Sequence, residues 1–556
     1  MPETILPGTY ITVRDEGLIT AGQVATGNIG IVGTAAKGPT NKVQILSSFS
    51  EAKEIFGSKG NWNADGGNPL TLIRALEQVF NNGGSKVYAV RTADSDSAKA
   101  AKFKTLKLAD NTLLLELEAL TPGTWGNDFV IKISDSAVNA VFSEEIMIDS
   151  DPPKLTRGNI DLDGSNVIKV KKNDTGQILP FTIVGTVDAV DEVSIDAVTG
   201  GLTFFNTDPD DSNTPNAEDT IIAIYEVKAS LIEIRYQSIN ESYVVADAGH
   251  LALQLQQFSN LIRPSFNGQD TAATFINERL ANTTGEETFA DGNDGAGATA
   301  DDYASGLSYL ENEIINIVLL AGQDASNAEV LTKLQGHIEM TAPIQRERIG
   351  IIGSDATTDD SIILDQVSVI NSDRIIFVAP GIAVSNLETL PGAYTAAAVA
   401  GLIASLPVQA SPTNKVLNIP GLAVEFNRAK LERLIQNRVL AIEKREGYRV
   451  VKGITTATNS AWHQVTTRRI VDFAKYGVRS ACNPYIGKLN NERVRGAMRA
   501  TIDAFLTRMV EDEALTGYEL DVTATRPQEI AGEAIVTLVL FPTFSIDFIR
   551  VTMYLQ

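Results

Sequence analysis

The glycines of GNIGIVG stand at 27, 30 and 33, a spacing close to that of a dinucleotide-binding turn. Such a site needs its glycines after a strand and opening a helix. Here they surround the apolar run Ile29 to Val32, so the expectation is a short buried strand closed by a turn at Gly33, Gly38 and Pro39. DGNDGAG, Asp291 to Gly297, has the carboxylate spacing with which a calcium loop begins. It lacks the Asp or Asn followed by Gly at its fifth and sixth positions, and it lacks the later bidentate Glu. It reads as a polar turn. The histidines, His250, His337 and His463, fall on separate predicted elements, and no Ser or Cys in a strained turn accompanies them, as a nucleophilic triad requires. The single cysteine, Cys482, excludes an intramolecular disulfide framework and a Cys-rich metal site and reads as a buried thiol. GxxxxGK[ST], HExxH and GxSxG do not occur. The expectation is a chain with no catalytic, cofactor or metal site.

What remains is charge. The net charge is −23, which opposes a general affinity for DNA phosphates. It is unevenly placed. Residues 425–556 hold 19 Lys+Arg against 15 Asp+Glu, and residues 134–230 hold 18 acidic against 6 basic side chains. The acidic stretch suits an outward position, and the basic C-terminal part can face a different, acidic partner. Within it, TTRRIVDFAKYG carries Arg468 and Arg469, a solvated helix face or a contact to that partner. Arg493, Arg495 and Arg499 open the last long helix and are candidates for the same contact.

The elements that must position these groups follow from periodicity. At 556 residues, with about 100 to 200 residues per domain, some three or four domains are expected. LTLIRALEQVFNNGG places Ile73, Leu76 and Phe80 at helical spacing and stops on a cap cluster. SKVYAVRTA follows as a strand, so the order is βαβ-like and predicts an α/β domain with a largely parallel sheet. From about Asp96 to 245 the helical period gives way to short apolar runs: LLLELEAL, FVIKIS, NVIKVKK, FTIVGTV, IIAIYEV and LIEIRY. These predict a β-sandwich-like insertion. The α/β pattern resumes with the AGHLALQLQQFSNLI helix and runs through IINIVLLAG, RIGIIGS and DRIIFVAPG. RAKLERLIQNRVLAI then predicts a helix with Leu431, Leu434, Ile435 and Ile442 on one face, and NNERVRGAMRATIDAFLTRMVED a second with Val494, Met498, Ile502, Phe505 and Met509 inward. With the strands YELDVTA and EAIVTLVLFP they make an α+β module.

Both ends alternate with period two. Tyr10 opposes Ile11 and Val13 in GTYITVRDEG, and Ile549, Val551, Met553 and Leu555 alternate with polar residues in DFIRVTMYLQ. The start, MPETILPGTY, lacks the basic and continuously apolar segments of a signal peptide, and no run approaches the roughly 18 apolar residues of a membrane helix, so a cytosolic chain is expected.

Taken in order, these segments resemble the contractile tail sheath proteins of bacteriophages and of phage-tail-like injection systems. The resemblance is carried by PGTYITV, GIVGTAAKGPTNKVQILSSFSEAKEIFG, GGSKVYAVRTA, TPGTWGNDFVIKI, FVAPG, PGAYTAAAVAGLIAS, RAKLERLIQNRVLAIEKREGYRVVKGITT, the RR helix and the ending GYELDV…RPQEIAGEAIVTLVLFPTFSIDFIRVTM. It implies a multidomain α/β and α+β chain. Residues 1–24 would be an arm; 25–96 and 246–424 a discontinuous subtilisin-like α/β domain without catalysis; 97–245 the outward insertion; and 425–556 the core domain of the sheath. It implies that Tyr10, Ile11, Val13, Ile549, Val551, Met553 and Leu555 add strands to neighbouring subunits. The implied partners are further copies in a ring-stacked helical polymer, the inner tail tube protein, and baseplate and terminator proteins, with no nucleic acid or membrane bound directly. The implied place is a virion tail assembled in the host cytoplasm. The alternatives are the sheath of a bacteriocin or secretion system, a baseplate or capsid component, and an α/β hydrolase with an unrecognised site.

Overall fold

The computed structural model describes residues 26–60, 70–148, 152–205, 215–385 and 388–554. Tyr10, Ile11, Val13 and Leu555 lie outside the described residues. The chain divides into two compact units, Met1–Asp96 with Ala296–Gln556, and Ser97–Gly295.

In the first unit, near-continuous apolar runs form strands buried on both faces, as a parallel sheet demands. The strands are β1 (Asn28–Gly33), β2 (Val43–Leu46), β3 (Lys86–Arg91), β4 (Ile317–Leu320), β5 (Ile349–Gly353), β6 (Ile375–Ala379), β7 (Val416–Leu417), β8 (Leu440–Lys444) and β9 (Tyr448–Val450). Their order is β2-β3-β1-β4-β5-β6-β8-β9-β7. The centre from β3 to β8 is parallel, with antiparallel strands at both margins. Side chains alternate across it. Ile29, Ile31, Val87, Ile317, Ile351 and Val378 join one core with the helices Leu72–Asn81 and Gly392–Ser405. Val32, Val90, Val318, Ile352 and Phe377 join the other with Ala300–Ser308, Ala328–Thr341 and Arg428–Gln436. The parallel α/β reading holds.

Close approach explains the glycines. A Cβ on Gly30 would lie 2.8 Å from Ile315 Cδ1, and one on Gly33 would lie 2.6 Å from Ala321 Cβ. In the helix Gly392–Ser405, which is buried almost all round, a Cβ on Gly401 would come within 2.2 Å of the Val79 carbonyl oxygen. The small residues of GAYTAAAVAGLIAS let this helix lie against the helix Leu72–Asn81 at backbone contact.

The second unit contains the strands read from the sequence, among them Leu113–Ala119, Val130–Asp135, Val167–Lys171, Ile178–Ile183, Thr220–Val227 and Ser230–Tyr236. They form a six-stranded, a four-stranded and a three-stranded sheet. One apolar core gathers Trp125, Phe129, Ile232 and Val245; another gathers Ile168, Val193, Ile221 and Tyr225. A paired Lys172 and Asp219, 2.7 Å apart and almost wholly buried, ties a hairpin end to the loop before Thr220.

Two boundaries differ from those read from the sequence. The helix Ala248–Phe258 looks like the resumption of the α/β pattern, yet its Leu251, Ala252 and Leu255 complete the core around Trp125 and Phe129. The second unit therefore extends to Gly295. Similarly, 425 does not begin a separate module, because β8 pairs in parallel with β6, Val378 opposite Leu440. Ile442 lies on β8, not on the preceding helix, which ends at Gln436.

Candidate assembly interface

After β9 the chain turns into the helix Val465–Cys482, whose first turn is buried on every side. Arg468 is 5% and Arg469 6% exposed. Arg468 donates to Asp373 at 2.7 Å and to Asp472 at 2.9 Å, and its guanidinium lies 4.4 Å from the centre of the Trp462 ring. Arg374 binds the same Asp472 through two hydrogen bonds. Arg469 has only carbonyl oxygens for acceptors, those of Leu406, Pro407 and Thr26. Leu406 is the C-cap of the helix Gly392–Ser405, so the cation sits where the helix dipole is negative. Burial pulls this guanidinium down to about 10. The paired arginines are structural, and neither is placed to meet an outside partner. Their burial follows from the helix lying between the start of the central strand β6 and the end of another helix.

The helix Glu492–Glu511 crosses it, capped by the Asn491 side chain on Val494 N–H. Met498, Ile502, Phe505 and Met509 are buried, as the spacing predicts, while Val494 in the first turn is only partly buried. The crossing is tight, since a Cβ on Gly477 would lie 1.9 Å from Phe505 Cζ. The opposite, polar face divides. Arg495 binds Glu529 at 3.0 Å, and Asp503 accepts from Tyr518 Oη at 2.7 Å. Arg493 and Arg499 are exposed. Arg526 first, then Arg495, hold the Glu529 carboxyl below the usual range.

Strands β10 (Leu515–Thr523) and β11 (Ile535–Pro542) form a two-stranded antiparallel sheet on this helix. Tyr518, Leu520, Val522, Val536, Leu538 and Leu540 face the helices, while Val539 and Phe541 are 42% and 45% exposed. Among the described residues neither outer edge of the pair has a neighbour.

Beyond Pro542 the chain pairs with no strand among the described residues. Ile549, Val551 and Met553, read from the sequence as one face of a last strand, are 82%, 75% and 86% exposed. The stretch just before them is held. Gln464 Oε1 accepts from Ser545 N–H at 3.2 Å, and Gln464 Nε2 donates to the Ser545 carbonyl at 3.5 Å and to Asp547 at 3.3 Å. Lys452 Nζ lies 3.4 Å from Asp547.

Residues 296–456 match the family model of the phage tail sheath protein central domain, and residues 457–556 match that of the phage tail sheath C-terminal domain. Residues 296–556 thus carry the two domains of the phage tail sheath family. No curated protein matches it. Among solved structures, the sheath protein has the fold of the sheath tail protein of Desulfitobacterium hafniense, with 13% identity, a TM-score of 0.55, and coverage of 96% of this chain and 100% of that one. The sheath tail protein of Listeria innocua is similar at 13% identity and a TM-score of 0.57, over 94% of this chain and 96% of that one. The similarity in fold thus reaches well beyond the matched domains.

In this sheath protein the histidines take no common site. His250 receives the Ala246 N–H and lies edge-on to Phe142. His337 accepts from the buried Arg348 at 2.9 Å. His463 is half-buried beside Lys452, and burial lowers its pKa. Among the described residues no group of three His, Cys, Asp or Glu is placed to hold a metal ion, and no helix is long and apolar enough to cross a membrane. Asp294 in the DGNDGAG turn accepts from Thr124 N–H and Oγ1. What the sequence reading missed is the set Lys452, Gln464 and Asp547 that holds the root of the last segment, together with the inward role of Arg469. Each is an ordinary polar residue whose partner is distant in sequence.

Proposed function

We propose that this sheath protein polymerises in stacked rings around an inner tail tube by lending its terminal segments to the hairpin sheets of neighbouring copies, and that the polymer contracts to drive the tube through a host envelope. The observation that carries the reading is the pairing of two incomplete features among the described residues: a two-stranded sheet with no neighbour on either edge and an apolar terminal segment that pairs with no strand. An open edge is a template for a further strand. About ten backbone hydrogen bonds per subunit at a net ~0.5 to 1.5 kcal/mol each are opposed by ~1 to 2 kcal/mol for each ordered residue, so pairing alone roughly breaks even. Burial of Ile549, Val551 and Met553, at ~1.5 to 3 kcal/mol apiece, supplies the surplus. Tyr10, Ile11, Val13 and Leu555 would add to it, and several links per subunit act as avidity.

In this reading the nine-stranded sheet is a subtilisin-like scaffold without catalysis, and contraction is a rearrangement of rigid bodies about contacts that the exchanged strands keep connected. Exposed Arg493 and Arg499 would meet an acidic tube, with baseplate and terminator proteins at the polymer ends. The particle would be a virion tail assembled in host cytoplasm. Electron microscopy of the purified full chain beside a version ending at Phe548 tests the central step. Tubes or rings are expected from the first and only monomers from the second; polymers of equal order from both would refute strand exchange.

A further inference from the structure

The segment between β11 and the exposed terminus is built inside out. Thr543, Ser545 and Asp547 are turned inward and largely shielded from solvent, while Phe544, Ile546 and Phe548 alternate with them and are 59%, 78% and 79% exposed. A strand that turns its polar side inward and three large apolar side chains outward is stable only if something polar holds it. Gln464 and Lys452 supply it. The Gln464 primary amide accepts the Ser545 N–H and donates to the Ser545 carbonyl, so one side chain does what a neighbouring strand's peptide group would do. The same amide and the Lys452 ammonium reach Asp547, and both Lys452 and Asp547 are more than four-fifths buried. Lys452 also lies 5.3 Å from the centre of the Phe548 ring. Gln464 is itself fixed, as the N-cap residue of the helix Val465–Cys482.

We infer that Gln464 and Lys452 are the positioning residues of the exchanged terminal segment: they grip it at Ser545 and Asp547, set the direction in which residues after Phe548 leave, and present Phe544, Ile546 and Phe548 to a second copy of this chain. The inference rests on the strand-exchange reading above. The occupant is a second copy because the outward row is continuous with the terminal strand and with the exposed Val539 and Phe541 of β11, and because this chain carries the open sheet edge that such a segment fits. A gripped root also pre-pays ordering. Ser545 and Asp547 are already held before a neighbour arrives, so the cost of fixing this stretch falls on folding rather than on assembly.

The test uses the full chain and the concentration at which polymer first sediments. Gln464→Ala and Asp547→Ala are each expected to raise that onset about tenfold, as loss of preorganisation does; the thermal transition of the monomer should stay in place in Gln464→Ala and fall in Asp547→Ala, which leaves Lys452 without its carboxylate. Ile546→Ser, on a side chain that touches solvent in the monomer, is expected to raise it several-fold and guards against a folding defect in the other two. The truncation after Phe548 is run alongside. If truncation abolishes polymer while Gln464→Ala, Asp547→Ala and Ile546→Ser all assemble at the normal onset, the grip is overturned and strand exchange stands. If the truncated chain itself polymerises normally, strand exchange fails and the grip fails with it.

Discussion

The Arg469 guanidinium and the Thr26 carbonyl oxygen lie 3.3 Å apart across 443 residues of chain. Five positions earlier on the same helix, Gln464 holds Ser545 and Asp547. One helix turn thus fastens the first described residue and the root of the last segment. Arg469 directs its other donors to the Leu406 and Pro407 carbonyls, so among the described residues its acceptors are carbonyl oxygens rather than carboxylates. Arg469→Met would leave three carbonyl oxygens short of a donor at ~1 to 3 kcal/mol each, offset in part by no longer burying a charge. The expected net loss is about 3 kcal/mol in denaturant unfolding, together with faster proteolysis before Thr26. Arg469→Lys keeps the charge but not the fork and should fall between.

Gly401 and Gly336 separate helix propensity from packing. Both lie inside helices, where Gly→Ala ordinarily gains ~0.8 to 1 kcal/mol. At Gly336, which is exposed and has nothing within 4 Å of a new Cβ, that gain should be seen in full. At Gly401 the new Cβ meets the Val79 carbonyl oxygen at 2.2 Å and Val79 Cα at 3.1 Å. Backbone cannot step aside as a side-chain tip can, so overpacking of ~1 to 3 kcal/mol exceeds the gain. Calorimetry should show Gly336→Ala melting higher and Gly401→Ala lower than the parent, and two upward shifts would contradict the close helix contact.

His337 sets an acid limb. Burial first, then the Arg348 charge, lowers its pKa to about 3, and its Nε2 accepts from Arg348, so the folded protein keeps it neutral. In the unfolded chain it takes a proton near the ordinary value of about 6.5. Because the folded pKa is the lower, the unfolded state binds more protons as pH falls, and stability drops below about pH 6.5 with a slope approaching 1.36 kcal/mol per unit. His337→Gln keeps an acceptor for Arg348 and removes the titration. Its stability should fall less steeply than the parent's between pH 6.5 and 5, and parallel curves would show that His337 is not the cause.

The parallel sheet was legible because its strands are buried on both faces and read as unbroken apolar runs such as IINIVLLAG and RIGIIGS. The insertion strands were legible because they are buried on one face and alternate. Less was legible where a choice between faces depends on distant partners. Nothing in TTRRIVDFAKYG announces that Arg468 meets Asp373 at the start of β6, or that Arg469 caps another helix. The helical period of AGHLALQLQQF is real, but a period does not say which core receives the helix. Alternation in the last residues marked an extended segment, and the exposure of Ile549, Val551 and Met553 is a property of pairing, which no local pattern fixes.

The two kinds of arginine in the C-terminal region should fail differently when their charge is reversed. Arg493 and Arg499 are exposed on the helix Glu492–Glu511, and surface substitutions of this sort usually move stability by no more than about 0.5 kcal/mol. If they meet an acidic tube as proposed, Arg493→Glu with Arg499→Glu leaves folding and self-polymerisation intact but blocks assembly of sheath on tube. The parent's docking should also weaken with salt, since exposed charges are screened within ~10 Å at 0.1 M. Arg468→Glu is the contrast. It sets a carboxylate against Asp373 and Asp472 in a buried site, where an uncompensated charge costs about 3 to 5 kcal/mol, so it should unfold the module before any partner is tested. Cryo-microscopy of sheath mixed with tube reads the first pair and a melting curve the second. Ordered sheath on tube from the double reversal would place the tube contact elsewhere, whereas a melting loss in that variant like that of Arg468→Glu would show the two arginines to be part of the fold.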